Sequence, residues 1–446
     1  MRLRFGTDGV RGVAGTELTP EFVVALGRAA ARALGPGRFL VGRDTRRSGP
    51  MLEAALAAGL AAEGASVERL GVVPTPALAY LGAEEDVPAA MISASHNRFS
   101  DNGVKLFAAG GRKLGAATEA ALEAELDRVV AAPPAGGHAD IGAVTDRHDA
   151  DRRFVHHLVA SLDGRDLDGL KVVLDCANGA AWRVGPLALR ELGADVTVLG
   201  AEPDGVNINA GVGSTYPRML QEAVVAVGAD AGLALDGDAD RVIAVDHRGD
   251  IVDGDHLIAV CALDLAARGR LRDGTVVVTV MTNLGFHLGM AEHGIRVVET
   301  PVGDRHVLEA MEKGNWSLGG EQSGHVIFSD LATTGDGLLT GLQVLDLVCR
   351  SERRLSSLAA VAMTRLPQVL RNVKIDGAAD GVLTEVAGAV AAVEAELGRR
   401  GRVLIRPSGT EPVVRVMVEA PTATEAEAAV VRLAAAVEAA GRRQGG

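Results

Sequence analysis

The chain is poor in the features that would mark a secreted, membrane-bound or nucleic-acid-binding protein. It has only three cysteines, Cys176, Cys261 and Cys349, and they stand far apart. That spacing gives neither a disulfide framework nor a zinc site and points to a reducing cytoplasm. No apolar run approaches the ~20 residues of a membrane span; the Ala-rich stretch from Ala54 is broken by Glu63. The opening MRLRFGTDGV has two arginines with no apolar stretch behind them, so no signal peptide is expected. Positive charge is short: 45 Lys and Arg against 58 Asp and Glu leave a formal charge of −13, which argues against a nucleic-acid partner. Five of the basic residues are lysines, and no Gly-Lys pair occurs, which removes a Walker A loop. A local arginine cluster can still hold a small anion, because surface charges beyond about 8 Å are screened at physiological salt.

What the chain does have is length, glycine and alternation. Its 446 residues exceed one core, and at ~100–200 residues per domain three or four domains are expected. The 56 glycines are neither periodic nor concentrated and fit strand-to-loop junctions. A loose unit repeats: an apolar strand, a polar Gly-containing loop, then an Ala/Leu helix. PAAMIS, LKVVLDC, AGLALD, TVVVTVM and VVRVMVEA read as strands, and Pro20–Leu34, Met51–Glu63, Ala116–Val130 and Leu257–Ala267 read as helices. Such alternation predicts α/β layers. The Pro/Gly-rich Ala131–Ala150 reads as a linker, and further boundaries are expected near Asp246–Asp255 and Arg365–Ile375. The expected domains are therefore 1–145, 146–250, 251–365 and 366–446.

Five loops carry chemistry. ISASHNRFSDNGVKLF places Ser95 at the carboxyl end of a strand, where α/β sheets form ligand crevices, with Lys105 close behind. A serine there becomes a nucleophile if its proton is withdrawn. In AGLALDGDADRV an apolar strand runs into Asp236, Asp238 and Asp240 at alternate positions. Three converging carboxylates repel unless a cation sits among them, and hard oxygen ligands suit magnesium or calcium. An EF-hand is excluded, because its sixth position would be Arg241 and its twelfth His247. RPSGTEPVVR offers Ser408, Gly409 and Thr410 between Arg406 and Arg415, a set suited to a phosphate dianion. GGEQSGH offers Glu321 and Ser323, an acceptor and a donor for sugar hydroxyls, and His325, an acid/base or a turn residue. FGTDGVRG surrounds Arg11 with glycines, an anion contact. A serine, a metal cage, a lysine and two arginine loops together fit phosphoryl transfer, which is mostly positioning and charge neutralisation.

FGTDGVRG, ISASHN…DNGVKLF, DGDADR, GGEQSGH and RPSGTEP, in this order, closely resemble the motifs of the α-D-phosphohexomutases, and the resemblance spans essentially the whole chain. Gln322, with FGTDGVRG and VGDRHVLE, brings it nearest to the members that act on glucosamine phosphates. Members acting on mannose and glucose phosphates, the alternative, generally carry methionine in place of Gln322. The resemblance implies three similar mixed α/β domains and a smaller C-terminal α+β domain around a central cleft. It implies that Ser95 is phosphorylated and that its phosphate, with Asp236, Asp238 and Asp240, holds one Mg2+. Arg241, Glu321 and Ser323 would contact substrate. Arg406, Ser408, Gly409, Thr410 and Arg415 would clamp the phosphate that is not reacting. Arg11 and Lys105 would flank the reacting group, with Lys105 or His325 taking the sugar proton.

The implied reaction interconverts glucosamine 6-phosphate and glucosamine 1-phosphate through a glucosamine 1,6-bisphosphate, feeding UDP-N-acetylglucosamine and cell-wall precursor synthesis. The implied partners are the small hexosamine phosphate, a second copy of the chain in a homodimer, and a kinase or autophosphorylation that primes Ser95; no nucleic acid and no membrane are expected. Two positions depart from the family pattern. Arg98 replaces a proline usual after SHN, which frees a backbone angle that proline would fix, and His306 replaces a tyrosine common after GDR.

Overall fold

The computed structural model describes residues 9–131, 141–375, 379–407 and 413–444. The chain divides into two compact units, Met1–Met281 with Ile295–Ala360, and Thr282–Gly294 with Val361–Gly446.

The first unit begins with β1 (Val10–Val13), α1 (Pro20–Leu34), β2 (Arg38–Arg43), α2 (Gly49–Ala62), β3 (Ser66–Val72), α3 (Thr75–Glu85), β4 (Ala89–Ile92), β5 (Asp101–Ala108), β6 (Arg112–Lys113), α4 (Ala116–Ala131) and β7 (Val144–Asp146). Local signals set α1: the Thr19 side chain accepts the Phe22 N–H, Pro20 occupies the first turn and Gly35 closes the helix. Its apolar stripe buries Val23, Leu26 and Ala30 in a core shared with Phe39, Val41, Leu56, Ile92 and Val104. Each fully buried Leu or Val there contributes about 1.5–3 kcal/mol. The strands run in the order β1-β5-β4-β2-β3-β7, with β6 beside β5. β2, β3, β4 and β7 are parallel; β5 lies antiparallel between β4 and β1.

The expected linker Ala131–Ala150 is therefore not all linker. Its residues 144–146 pair with β3 as an edge strand. Arg147 fixes the segment by donating to Glu68 at 3.1 Å and Glu85 at 2.7 Å. Composition suggested a loop; long-range pairing overrode it.

A second sheet follows from α5 (Ala150–Ala160), β8 (Lys171–Asp175), α6 (Val184–Glu191), β9 (Asp195–Leu199), α7 (Arg218–Val227), β10 (Ala231–Leu235), β11 (Val242–Asp246) and β12 (Ile251–Val252), in the order β12-β11-β10-β8-β9. A third uses α8 (Gly254–Ala267), β13 (Thr275–Thr279), α9 (Leu284–Glu292, counted with the second unit), β14 (Arg296–Thr300), α10 (Asp304–Gly314), β15 (Leu318–Gly320), β16 (Val326–Phe328) and α11 (Gly337–Ser351), in the order β14-β13-β15-β16.

The three sheets share one device. In each, a parallel set ends on a strand whose next neighbour in sequence folds back antiparallel: β4 to β5, β10 to β11, β15 to β16. A crossover helix is absent at that point, so a short polar loop is left at the carboxyl end of the last parallel strand, where α/β sheets bind ligands. Those three loops are the ones that carry Ser95, the three aspartates and GGEQSGH.

α12 (Leu355–Ala362) leads into the second unit, which adds β17 (Gln368–Lys374), α13 (Ala379–Leu397), β18 (Arg402–Pro407), β19 (Val413–Glu419) and α14 (Ala423–Gln444). Its antiparallel sheet, in the order β17-β19-β18, packs Val414, Val416 and Val418 against Leu433 and Val437 of α14. Glu419, fully buried, accepts the Leu284 N–H at 2.8 Å at the start of α9. Among the described residues no helix is long and apolar enough to cross a membrane.

Candidate active site

Ser95 stands in the β4–β5 loop, fully buried, with φ of +52°. A non-glycine residue pays for that left-handed conformation, so its surroundings must impose it. They do so from three sides. The Ser95 N–H donates to Ser93 Oγ at 2.9 Å. Its carbonyl accepts from Arg46 Nη2 at 2.8 Å and Asn209 Nδ2 at 2.9 Å. Its Oγ donates to Asp236 Oδ2 at 2.6 Å and lies 3.2 Å from His96 Nδ1.

The aspartate loop meets Ser95 from the second sheet. Gly237 sits so close that a Cβ there would lie 2.6 Å from the Ser95 carbonyl oxygen. Ala239 takes φ of +59° and its N–H closes a turn onto the Asp236 carbonyl at 3.0 Å. One carboxylate oxygen from each of Asp236, Asp238 and Asp240 lies within 4.8 Å of the others, all three residues buried.

Charge in this cluster is uneven. Burial, then Asp240 and Asp238, push Asp236 well above the usual carboxylate range. Burial would do the same to Asp240, but Lys105 and His325 outweigh it and hold that carboxyl well below the range. Among the described residues, Asp238 Oδ1 and Asp240 Oδ1 are buried without a hydrogen-bond partner. Orphaned buried carboxylate oxygens are costly. Two of them beside a third acid and a serine hydroxyl make an oxygen donor set that fits a hard divalent cation.

Lys105, on β5 opposite Met91, sends Nζ to Asp238 Oδ2 at 2.8 Å and Asp240 Oδ2 at 3.2 Å, with 3% of its side chain exposed. Thr75, at the start of α3, holds the same Asp238 oxygen at 2.6 Å and donates its N–H to the Asp238 carbonyl at 2.9 Å. Arg11, on β1 opposite Gly103, uses the room that glycine leaves: a Cβ there would meet its Cγ at 2.9 Å. Arg241 Nη1 donates to His96 Nδ1 at 3.1 Å. Burial, Arg241 and Arg11 lower the His96 pKa to about 4, so the ring is neutral at pH 7.

The third loop joins the same cluster. The carbonyl of Gly324 accepts the Val242 N–H at 3.1 Å; with φ of +91° and no space for a Cβ, only glycine fits there. His325 is buried, with Nδ1 3.8 Å from Asp240 and Nε2 3.6 Å from Asp304. The Gly335 N–H donates into Nε2 at 3.1 Å, which places the ring proton on Nδ1. Burial opposes a charge on this ring, but Asp240 and Asp304 overcome it and move its pKa upward. Asp304 also pairs with Lys113. Glu321 is half-buried and accepts the Gly303 N–H at 3.0 Å, while Ser323 is exposed. Gln322 donates to buried Asp255, in the first turn of α8, at 3.0 Å. Arg98 is exposed and His306 half-buried, so neither departure disturbs a motif contact seen here.

Two expected sets lie elsewhere. Arg406 and Arg415 belong to the second unit, directly opposite one another on β18 and β19. Burial and Arg415 lower the pKa of Arg406. Arg415 Nε is buried without a hydrogen-bond partner among the described residues. Facing like charges destabilise a strand pair, and an anion relieves them. Ser408, Gly409 and Thr410, and the first half of FGTDGVRG, lie outside the described residues.

Sequence reasoning passed over Arg46, Thr75, Asn209 and Asp304, each in contact with a member of the cluster, and Asp44, which bonds to Arg46 and Ser93. The signal for Asp44 and Arg46 was the run GRDTRRSG directly after β2, an Asp-x-Arg at the carboxyl end of a central parallel strand.

Comparison with known proteins covers nearly all of the chain. Four descriptions match in order: Phosphoglucomutase/phosphomannomutase, alpha/beta/alpha domain I over residues 2–132, domain II over 152–249, domain III over 253–366, and C-terminal domain over 360–436. The chain is 55% identical to a phosphoglucosamine mutase of Frankia alni, covering 98% of each. It is 56% identical to one of Thermobifida fusca, covering 96% of this chain and 97% of that one. A crystal structure of a phosphoglucomutase/phosphomannomutase family protein from Burkholderia thailandensis matches with a TM-score of 0.80 at 25% identity, over 97% of both chains.

Proposed function

Because this chain belongs to the phosphoglucomutase/phosphomannomutase family, we propose that it interconverts glucosamine 6-phosphate and glucosamine 1-phosphate through a phosphoserine at Ser95. The observation that carries the reading is the buried Ser95 hydroxyl, 2.6 Å from an aspartate triad in which, among the described residues, two buried oxygens have no hydrogen-bond partner. The substrate reading is supported by the relatives from Frankia alni and Thermobifida fusca, both phosphoglucosamine mutases by name, at 55% and 56% identity.

In the forward step the Oγ–P bond of Ser95 breaks as a bond forms between phosphorus and sugar O1. The sugar hydroxyl loses a proton and the serine oxygen gains one, so the exchange balances without an outside donor. In a loose transition state the protein contributes mainly position and charge. Arg11 and Lys105 supply positive charge beside the transferring group. A divalent cation held by Asp236, Asp238, Asp240 and the Ser95 phosphate, Mg2+ by the hardness of the oxygens, would neutralise the rest. Phosphoserine and sugar phosphate carry roughly −1.5 to −2 each, so this concentration of charge is required.

Of the two candidates for the proton, His325 has Nε2 engaged by Gly335 and Nδ1 turned to Asp240. Lys105 then moves it, giving one proton to the departing serine oxygen and recovering one from the sugar hydroxyl. Glu321 and Ser323 bind sugar hydroxyls, with Arg241 also on the substrate. Arg406 and Arg415, with Ser408, Gly409 and Thr410, take the phosphate that is not reacting. The 1,6-bisphosphate turns round, and its 6-phosphoryl group returns to Ser95.

Ser95→Ala tests this. It removes only a hydroxyl, so the protein should fold and bind sugar phosphate while turnover vanishes; near-normal activity refutes the mechanism. A panel of glucosamine, N-acetylglucosamine, glucose and mannose phosphates tests the substrate. A faster rate on glucose or mannose 1-phosphate would transfer the assignment to the phosphomannomutase/phosphoglucomutase alternative.

A further inference from the structure

Arg46 is among the largest fully buried side chains of the protein, 0% exposed. A guanidinium carries five N–H donors in a fixed fork, and here four go to carbonyls of residues 95–101 and the fifth to Asp44. Nη2 donates to the carbonyls of Ser95 at 2.8 Å and Asn97 at 2.9 Å. Nη1 donates to the carbonyls of Asp101 at 3.0 Å and Arg98. Nε meets Asp44 Oδ2 at 2.8 Å, and that oxygen also accepts Ser93 Oγ at 2.7 Å. Ser93 Oγ in turn accepts the Ser95 N–H. Both backbone polar groups of Ser95 thus end on the Arg46–Asp44 pair. Asn209, from the second sheet, repeats the hold on the Ser95 and Asn97 carbonyls at 2.9 and 3.1 Å.

A buried ion pair is a poor source of stability, since its desolvation consumes most of the attraction. A pair of hydrophobic residues would fill the volume at no such cost. What they could not do is fix four carbonyls of a loop that has no regular structure of its own, and with it a serine at φ of +52°.

We infer that Arg46 is a positioning residue for phosphoryl transfer: its guanidinium clamps the 95–101 loop so that Ser95 Oγ is aimed at the aspartate triad, with Asn209 as the second anchor. This rests on the mutase reading. It touches neither substrate nor metal and acts through Ser95. Lysine keeps the charge but offers three donors from one point, so it cannot replace the fork.

The experiment compares Arg46→Lys, Asn209→Ala and a control, Arg28→Lys, with the wild type. Arg28 is another buried arginine, bound to Glu63 and the Val129 carbonyl, away from the loop. The readouts are kcat and KM for glucosamine 6-phosphate, label transferred to Ser95 from phosphorus-labelled glucosamine 1,6-bisphosphate, melting temperature, and amide exchange of residues 95–101. Arg46→Lys should lower kcat and the labelling rate ~100-fold, the scale of a misplacement of about 1 Å, with KM changed less than threefold. Asn209→Ala should lower them ~10-fold, and protects the test if Arg46→Lys does not fold. Arg28→Lys should lower the melting temperature and leave kcat alone. Either loop variant, folded, with kcat within threefold of wild type overturns the inference; so does an equal loss in Arg28→Lys. Failure of the mutase reading would show separately, as wild-type protein that takes no label. The clamp is then judged by exchange alone, and unchanged protection of 95–101 in both loop variants overturns it.

Discussion

Gly237 lies between two of the triad aspartates, and the tolerance of the site for a single methyl group there can be worked out. Its φ is not positive, so alanine meets no backbone strain; the obstacle is space. The new Cβ would stand 2.6 Å from the Ser95 carbonyl oxygen, 2.8 Å from Asn209 Nδ2 and 2.8 Å from Ile208 Cδ1. Carbon and oxygen rest at about 3.3 Å or more, so the aspartate loop and the serine loop must part by roughly 0.7 Å. Ile208 is 1% exposed and Asn209 5%, so neither can swing aside into solvent. The bond from Ser95 Oγ to Asp236, now 2.6 Å, then stretches beyond useful range. Overpacking of this kind costs about 1–3 kcal/mol, while a displacement near 1 Å costs about 100-fold in rate. Gly237→Ala should therefore lower kcat ~30–100-fold, measured as conversion of glucosamine 6-phosphate at saturating Mg2+. The control is Gly211→Ala. Gly211 has φ of +71° with nothing within 4 Å of a Cβ, so it should lose stability and keep activity. A Gly237→Ala enzyme within threefold of wild type, or a Gly211→Ala enzyme equally impaired, would refute the steric argument.

Removal of divalent cations with EDTA should abolish turnover, and added Mg2+ should raise the melting temperature of the stripped protein. Asp238→Asn should cancel that rise; a melting temperature indifferent to Mg2+ in the wild type would remove the metal assignment. Arg406→Ala should raise KM for sugar phosphate ~10–100-fold with little change in kcat, the worth of about one or two charge-assisted hydrogen bonds; an effect confined to kcat would count against phosphate binding. His157 should make stability pH-dependent. Burial lowers its pKa from 6.5, against an opposing pull from Glu84, so the unfolded chain binds the proton more readily than the folded one. The contribution is whole above pH 6.5, is lost as pH falls through that value toward the lower folded pKa, and levels off beneath it. An NMR titration that puts His157 at or above 6.5 would contradict this.

Much of the site was legible in the chain because its chemistry is local. Ser95, the three aspartates and Glu321 stand at the ends of apolar strands, and period and polarity alone reveal such places. Pro20–Leu34 was legible for the same reason, since a Thr cap, a first-turn proline and an apolar stripe lie within one short stretch. Arg46 was not. In sequence GRDTRRSG looks like a solvated basic turn, and only the fold converts Arg46 into a buried fork around a loop some fifty residues on. Gln322, which in sequence served only to separate family members, sits in the β15–β16 turn and donates to Asp255. The sequence left the proton carrier open between Lys105 and His325, and the bond that bears on the choice, the Gly335 N–H into His325, is made across ten residues just ahead of α11.

The sequence by itself determined which side chains are available, a serine hydroxyl, hard oxygen ligands and scattered cations, and that Ser95, the three aspartates and Glu321 would follow apolar strands. The tertiary structure alone decided that hairpins from three different sheets converge, placing Ser95 against Asp236 and His325 beside Asp240. The reason is that residue type and local period are written within a few neighbours, while convergence depends on how separate sheets pack, and no short stretch of chain carries that information.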